Sequence, residues 1–223
     1  MAYILNIETA TKNCSVSVAK NGETIALKEV NDLNYSHAEK LHPFIEEVIA
    51  KANIDFKSLD AVAVSKGPGS YTGLRIGVSA AKGLCYALNL PLISLSTLNS
   101  LATAVEINKG YKIAMLDARR MEVYAAIFDS ENNIVENVKA IIIDENSFKK
   151  YLENNQVYLI GDGAVKCQEK ISHKNAIFKP NVLPSASTMS KLAIKKYSDK
   201  NFEDVAYFEP FYLKEFIALK SKR

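Results

Sequence analysis

The sequence predicts an α/β protein built as two tandem lobes, each a mixed sheet flanked by helices. Three features predict it. The order of three strands, helix, strand, helix, strand and helix runs through residues 1–105 and runs again through residues 106–223. The apolar runs are short and alternate with helical stripes, and none approaches the roughly 20 residues that a membrane span needs. The 223 residues are 48% hydrophobic and 24% charged, the balance of a globular chain of one large domain or two small ones. A chain of this length buries roughly 70% of its unfolded surface and needs neither metal nor disulfide to fold.

In the first half, YILNIET alternates apolar and polar residues and reads as a strand. CSVSVAK and TIALKEV flank Asn21-Gly22, a tight-turn dipeptide, and form a hairpin. Ser36-His37-Ala38-Glu39 is a capping box that opens a helix reaching about Ala52. Pro43 inside it removes a backbone donor and should kink it. AVAVS is a buried strand, TGLRIGVSAAKGLCYAL a helix, PLISLS a strand, and Thr97 to about Glu106 a helix.

In the second half, KIAMLD, MEVYAAIFD and IVENVKAIIID are strands, with Glu131-Asn132-Asn133 in the second turn. SFKKYLEN is a short helix, VYLIGDG a strand, AVKCQEKIS a helix, AIFKP a strand, and STMSKLAIKKYSD a helix opened by Ser187. The two halves share element order and no visible sequence similarity. Meander-then-crossover units in tandem describe the ribonuclease H-like duplication of the actin-like ATPases (ASKHA), with lobes at 1–105 and 106–223.

The start, MAYILNIETA, is too short and interrupted in its apolar run for a signal peptide, and the expected location is cytoplasmic. Cys14, Cys85 and Cys167 are scattered, without a CxxC pair, as small core residues of a reducing compartment would be. Net charge is +3: residues 1–105 hold nine basic and nine acidic side chains, residues 106–223 nineteen and sixteen. The terminal KSKR is the only basic clustering along the chain, which argues against nucleic-acid binding by this chain alone.

SKGPGSYTGLRIG, Ser65 to Gly77, holds four of the nine glycines. A P-loop would need GxxxxGK[ST], and here neither lysine nor hydroxyl follows the last glycines. Gly67, Gly69 and Gly73 are spaced GxGxxxG, which is not the dinucleotide fingerprint. Anion binding at the helix start stays open. At about 100° per residue, Arg75, Ser79, Lys82 and Tyr86 form the only stripe suited to water. Leu74, Val78, Ala81, Cys85 and Leu88 form a bulky apolar face, and Gly73, Ile76, Gly77, Ala80, Gly83, Leu84 and Ala87 a second, mostly small one. Helix-interior glycines cost about 1 kcal/mol each and are kept where a backbone comes close. Either the helix beginning at Ser36 covers this second face or another chain does. That helix is itself broadly apolar through Leu41, Ile45, Val48 and Ala52, which favours a bundle completed by a partner.

HAEKLHPFIEEVI and GPGSYTGLRIGVSAAKGL, with ILNIETAT, STLNSLA and LDARRMEVYAAIF, resemble the bacterial TsaB (YeaZ) family over nearly the whole chain. The resemblance implies two actin-like lobes and a non-catalytic role in making threonylcarbamoyladenosine in tRNA. It implies pairing with the transferase TsaD through the first two helices, a ternary complex with the ATPase TsaE, and self-association when the partner is absent. tRNA is then reached through the complex, no cofactor is held by this chain, weak ATP or ADP contact is confined to the partner interface, and any metal sits on the partner. The partner-binding residues that follow are His37, Leu41, Ile45, Gly73, Ile76, Gly77, Ala80, Gly83 and Ala87.

The sequence departs from the family at Glu8, where aspartate is more usual. Glu8, Thr9 and Thr11 are the candidate nucleotide contacts, yet that turn lacks the glycine that lets a backbone approach phosphate, as does Asp117-Ala118-Arg119. A stand-alone small-molecule ATPase or kinase is the alternative function. His37 and His42 lie five apart, roughly 140° around a helix, too divergent for one metal ion. Asp162, in GDGA, reads as a strand-ending turn rather than a catalytic acid. No HExxH motif is present to support a metallopeptidase.

Overall fold

The computed structural model describes residues 1–31 and 37–214. Strands β1 (Tyr3–Glu8), β2 (Asn13–Lys20), β3 (Glu23–Asn31), β4 (Ala61–Gly67) and β5 (Leu92–Ser96) form one sheet in the order β3-β2-β1-β4-β5. The first three pair antiparallel, and β4 and β5 add in parallel. Asn21 and Gly22 both take positive φ, 53° and 86°, so the β2–β3 hairpin closes as the dipeptide predicts.

Strands β6 (Tyr111–Asp117), β7 (Glu122–Phe128), β8 (Ile134–Ile142), β9 (Val157–Ile160) and β10 (Ala176–Lys179) repeat that arrangement in the order β10-β9-β6-β7-β8. Read from β8, the second sheet matches the first strand for strand, including the antiparallel and parallel pairings. The duplicated element order is therefore a duplicated topology.

Both faces of the first sheet are covered. Helices α1 (His37–Lys51) and α2 (Tyr71–Leu88) bury Leu5, Ile7, Val16, Val18, Val62 and Val64 on one side. Ile4, Ala61, Ala63, Ile93 and Leu95 point to the other, as the period of two along a strand requires. That second face is closed by α6 (Ala186–Ser198) through Ala186, Met189 and Ala193. The polar residues of β1 and β2 point there too and find partners: Ser17 Oγ donates to Ala186 O at 3.0 Å, and Ser15 Oγ accepts from Ala186 N at 2.9 Å.

Helix α6 thus packs with the first sheet, although chain order placed it in the 106–223 lobe. Amphipathic periodicity fixes which face of a helix is buried and says nothing about which sheet buries it. Its cap is Ser185, whose side chain accepts from Ser187 N, and not Ser187 itself. Helix α3 (Thr97–Thr103), shorter than expected, presents Leu98, Leu101 and Ala102 to Ala114, Leu116, Ala126 and Phe128 of the second sheet. Helices α4 (Lys149–Leu152) and α5 (Ala164–Lys170) belong to that sheet. The capping Ser36 and the KSKR segment lie outside the described residues.

A segment with no counterpart among the expected elements follows α6. Residues 203–214 run back along the first sheet: Glu203 bridges Leu92, Lys82 Nζ donates to Ala206 O (3.1 Å) and Phe208 O (3.0 Å), and Phe211 N donates to Lys66 O (2.7 Å). Among the described residues no helix is long and apolar enough to cross a membrane.

The glycines of α2 separate into two kinds. A Cβ at Gly77 would overlap the Thr9 hydroxyl, whereas one at Gly83 would meet nothing within 4 Å. Gly77→Ala should therefore destabilise the fold by about 1–3 kcal/mol, since the buried Thr9 side chain must move and give up its hydrogen bond to Gly73 O. Gly83→Ala should stabilise it by up to about 1 kcal/mol through helix propensity alone. Thermal denaturation of the two variants checks the opposite signs.

Candidate functional site

Two surfaces carry the residues singled out in the sequence: the outer side of α1 and α2, and the cleft between the lobes.

On the helices, five of the nine expected partner-binding residues are interior. His37, Leu41 and Ile45 are at most 2% exposed, and His37 Nε2 lies 2.7 Å from Thr11 O. Gly73 and Gly77 are buried because the end of β1 comes through at Thr9: its Oγ1 donates to Gly73 O at 2.8 Å, and a Cβ at Gly73 would overlap its carbonyl oxygen. The small face of α2 is thus shared. Its inner edge seats its own sheet, and the expectation that Gly73 and Gly77 face outward is corrected.

The remaining four form a narrower outer strip. Ile76 and Ala80 are half-buried, with Leu84, against the core that α1 helps to build, while Gly83 and Ala87 are exposed. Beside the strip, α1 exposes Ala38, His42 and Glu46, and α2 exposes Tyr86. Of the expected water-facing stripe, Arg75, Ser79 and Tyr86 are exposed, whereas Lys82 is half-buried and tied to the carbonyls of the 203–214 segment.

The expected nucleotide contacts divide similarly. Glu8 and Thr9 are fully buried and do not line the cleft; only Thr11 does, at 7% exposure. Glu8 Oε1 accepts from Ala10 N (2.7 Å) and Ser65 Oγ (2.8 Å), and Oε2 finds no partner among the described residues. Burial pushes the carboxyl up to about 7, more than the hydrogen bonds from Ala10 N and Ser65 pull it down. The first-turn acid is turned into the fold, behind the turn it was expected to serve.

The cleft itself has a volume of about 680 Å³. Its walls are the β1–β2 turn at Lys12, the start of α2 at Gly69–Thr72, the β6–β7 turn at Asp117–Arg119, and the end of the chain's described course at Tyr212 and Lys214. Asp162 reaches it from the turn after β9, between Gly161 (φ 107°) and Gly163. Its Oδ1 accepts from Asp117 N at 2.9 Å, so it ties off the end of β6, as a strand-ending turn would. Burial raises its carboxyl above the usual range. Asp117 pairs with Lys166 at 2.9 Å, and Lys214 pairs with Glu122 across the two lobes.

Lys12, Tyr71, Arg119, Tyr212 and Lys214 were missed as cleft residues. The duplicated strand order contained a signal for two of them, because the turns after β1 and β6 occupy equivalent places in the two lobes. Nothing in the sequence signalled the path of the 203–214 segment. Among the described residues no group of three His, Cys, Asp or Glu side chains could hold a metal ion.

These features define a class: a two-lobed actin-like protein whose interlobe turns lack the phosphate-cradling glycine and whose first acid is shut inside. A family model described as TsaD, tRNA N6-adenosine threonylcarbamoyltransferase, matches residues 32–207. The tRNA threonylcarbamoyladenosine biosynthesis protein TsaB of Haemophilus influenzae is 28% identical over 97% of this chain and 95% of its own length. The protein of that name from Buchnera aphidicola subsp. Schizaphis graminum is 32% identical over 77% of this chain and 83% of its own. The solved structure of YeaZ from Pseudomonas aeruginosa shares the fold, with a TM-score of 0.82 at 24% identity, covering 96% of this chain and all of that one. The chain belongs to the TsaB (YeaZ) family.

Glu8 makes stability depend on pH. Its folded value, about 7, lies above the ordinary 4.5, so the folded state holds a proton that the unfolded state has released between those limits. The contribution is intact below pH 4.5, declines as pH rises towards 7, and is lost above it. A shift from 4.5 to about 7 corresponds to roughly 3 kcal/mol. Glu8→Gln, whose amide oxygen can keep both hydrogen bonds of Oε1, should raise stability at pH 8 by about that amount and change little at pH 4.5. Urea unfolding at the two pH values measures it.

Proposed function

We propose that this chain is a non-catalytic subunit of a tRNA threonylcarbamoyladenosine-forming assembly, docking on a TsaD-like transferase through the outer strip of α2 and the adjoining surface of α1. The observation that carries the reading is the strip itself. Past the half-buried Ile76, the residues Ala80, Gly83 and Ala87 leave a line of helix surface with almost no side chain, part of it open to solvent. A glycine at an exposed helix position costs about 1 kcal/mol and gains nothing for its own fold. It gains closeness when a second helix packs there, because small residues let two backbones approach and their side chains interdigitate.

The names of the relatives, biosynthesis proteins for this modified nucleoside, support the substrate class, and the family model named for the transferase supports a related protein as partner. The buried Glu8 and the missing turn glycines favour a supporting role over the alternative of a stand-alone ATPase or kinase. The transfer chemistry, and any metal it uses, then lies on the partner. A TsaE-like ATPase joins the pair, nucleotide touches this chain only at the shared interface, and the same strip allows a homodimer when the transferase is absent.

Gly83→Leu fills the open strip without disturbing the interior, so its melting temperature should stay near that of the parent. It should fail to co-elute with the transferase on size exclusion, and cells relying on it should lose the modified nucleoside. Co-elution and modification at parental levels would overturn the reading.

A further inference from the structure

We propose that the mouth of the interlobe cleft is a docking surface for RNA, gripping the phosphates of a looped, unpaired stretch beside a ledge on which its bases stack. The proposal rests on the reading that the chain serves a tRNA-modifying assembly, and adds that this chain touches the RNA directly.

The cations come from equivalent turns of the two lobes. The turn after β1 exposes Lys12, and the turn after β6 exposes Arg119 and Arg120; Lys12 and Arg119 line the same cleft. Among the described residues none of the three makes an ion pair. Two of the carboxylates nearby are matched by lysines, Asp117 by Lys166 and Glu122 by Lys214, and Asp117 also accepts from Arg119 N at 2.5 Å. Asp162 accepts from Asp117 N and lies within the field of Lys12. The charges of Arg119 and Arg120 are left over at the rim, where they face water.

The aromatic ledge adjoins it. Tyr71, at the start of α2, and Tyr212 lie with ring centroids 4.8 Å apart. The Arg75 guanidinium sits 4.4 Å above the Tyr71 ring, and its Nε donates to the Tyr212 hydroxyl at 3.3 Å. The ledge is anchored to the first sheet by the hydrogen bond from Phe211 N to Lys66 O. Flat rings and guanidinium planes beside unpaired cations are the chemistry by which unpaired nucleic acid is held, with stacking for bases and charge for the backbone. A free nucleotide fits less well. The amides that would cradle its phosphates at the start of α2 are partly spent, Ser70 N on Ala10 O and Gly73 N on Ser70 Oγ. The cations sit on separate turns at the rim, a spacing suited to successive phosphates of a chain.

The test is fluorescence anisotropy of a labelled RNA stem–loop with the purified full chain. Arg119 and Arg120 have φ of 66° and 50°, so Arg119→Asn with Arg120→Asn removes both charges using a side chain that such backbone accepts readily. The double variant should bind about tenfold more weakly, with a log–log salt slope shallower by about 1 to 1.5. Tyr212→Ala should weaken binding of the stem–loop and leave binding of a plain duplex unchanged. Lys191→Gln with Lys195→Gln, in the second cleft beside α6, is the charge-matched control and should change nothing. The proposal is overturned if the parent shows no salt-dependent RNA binding, if the control pair loses as much as the arginine pair, or if ATP or an acidic peptide displaces the RNA in simple competition at equal charge. Co-elution of the arginine variant with the transferase is followed in parallel. Loss of pairing and loss of RNA binding are separate readouts, so either reading can fail without the other.

Discussion

The contact between Thr9 and the glycines of α2 is the constraint on which the rest of the molecule turns. The end of β1 passes so close to α2 that neither Gly73 nor Gly77 has room for a Cβ, and the Thr9 hydroxyl donates to Gly73 O at 2.8 Å. One residue further on, Ser70 N donates to Ala10 O at 2.7 Å, and a Cβ at Gly69 would meet the Ala10 backbone. These contacts clamp the first turn of the chain to the start of α2. They set the wall of the cleft on one side and the angle of α2 on the sheet on the other. They also place Glu8: with Thr9 committed to α2, its neighbour along the strand must point to the opposite face, where Ser65 and Ala10 N receive it.

Much of this architecture was legible because it rests on local signals. Asn21-Gly22 fixes a hairpin, alternation fixes strands, and the apolar stripe of Leu74, Val78, Ala81 and Cys85 fixes the seated face of α2, all four being buried. What escaped were decisions taken between distant segments. Helical angles identify a small face on α2 but cannot say that half of it meets a β-strand end rather than a partner. Gly77 and Gly83 look alike in the sequence and differ only in what stands opposite. Asn6, Ser15 and Ser17, polar positions of β1 and β2, are fully buried because α6 brings hydrogen-bonding groups to them from more than 160 residues away.

The cleft illustrates the same limit in charge. Along the chain, cations and anions in residues 1–105 balance, and no basic run stands out among the described residues. In three dimensions Lys12 and Arg119 line one cleft from two turns, with Arg120 exposed beside Arg119, while Asp117 and Glu122 are matched by Lys166 and Lys214. A surplus assembled from two distant turns leaves no mark in a composition. The 203–214 segment contributes most to this concealment. It has no regular structure to announce itself, and it is held by hydrogen bonds from Lys82 of α2 to Ala206 O and Phe208 O and from Phe211 N to Lys66 O of β4.

Helix α2 finally joins the two surfaces. Its first turn, Tyr71 and Thr72, lines the cleft, and its later turns, Gly83 and Ala87, form the open end of the outer strip. At about 1.5 Å per residue, Tyr71 and Ala87 stand roughly 24 Å apart on one rod. That rod is pinned near its start by Thr9 and Ala10 and along its flank by the carbonyls that Lys82 holds. A helix so fixed does not bend between its ends, so whatever seats against Gly83 and Ala87 is set at a defined distance and angle from whatever occupies the cleft mouth. On the proposed reading the fold would act as a gauge between the two surfaces. The absence of a phosphate-cradling glycine in the first turn fits that use, because a gauge needs rigid spacing and no chemistry of its own.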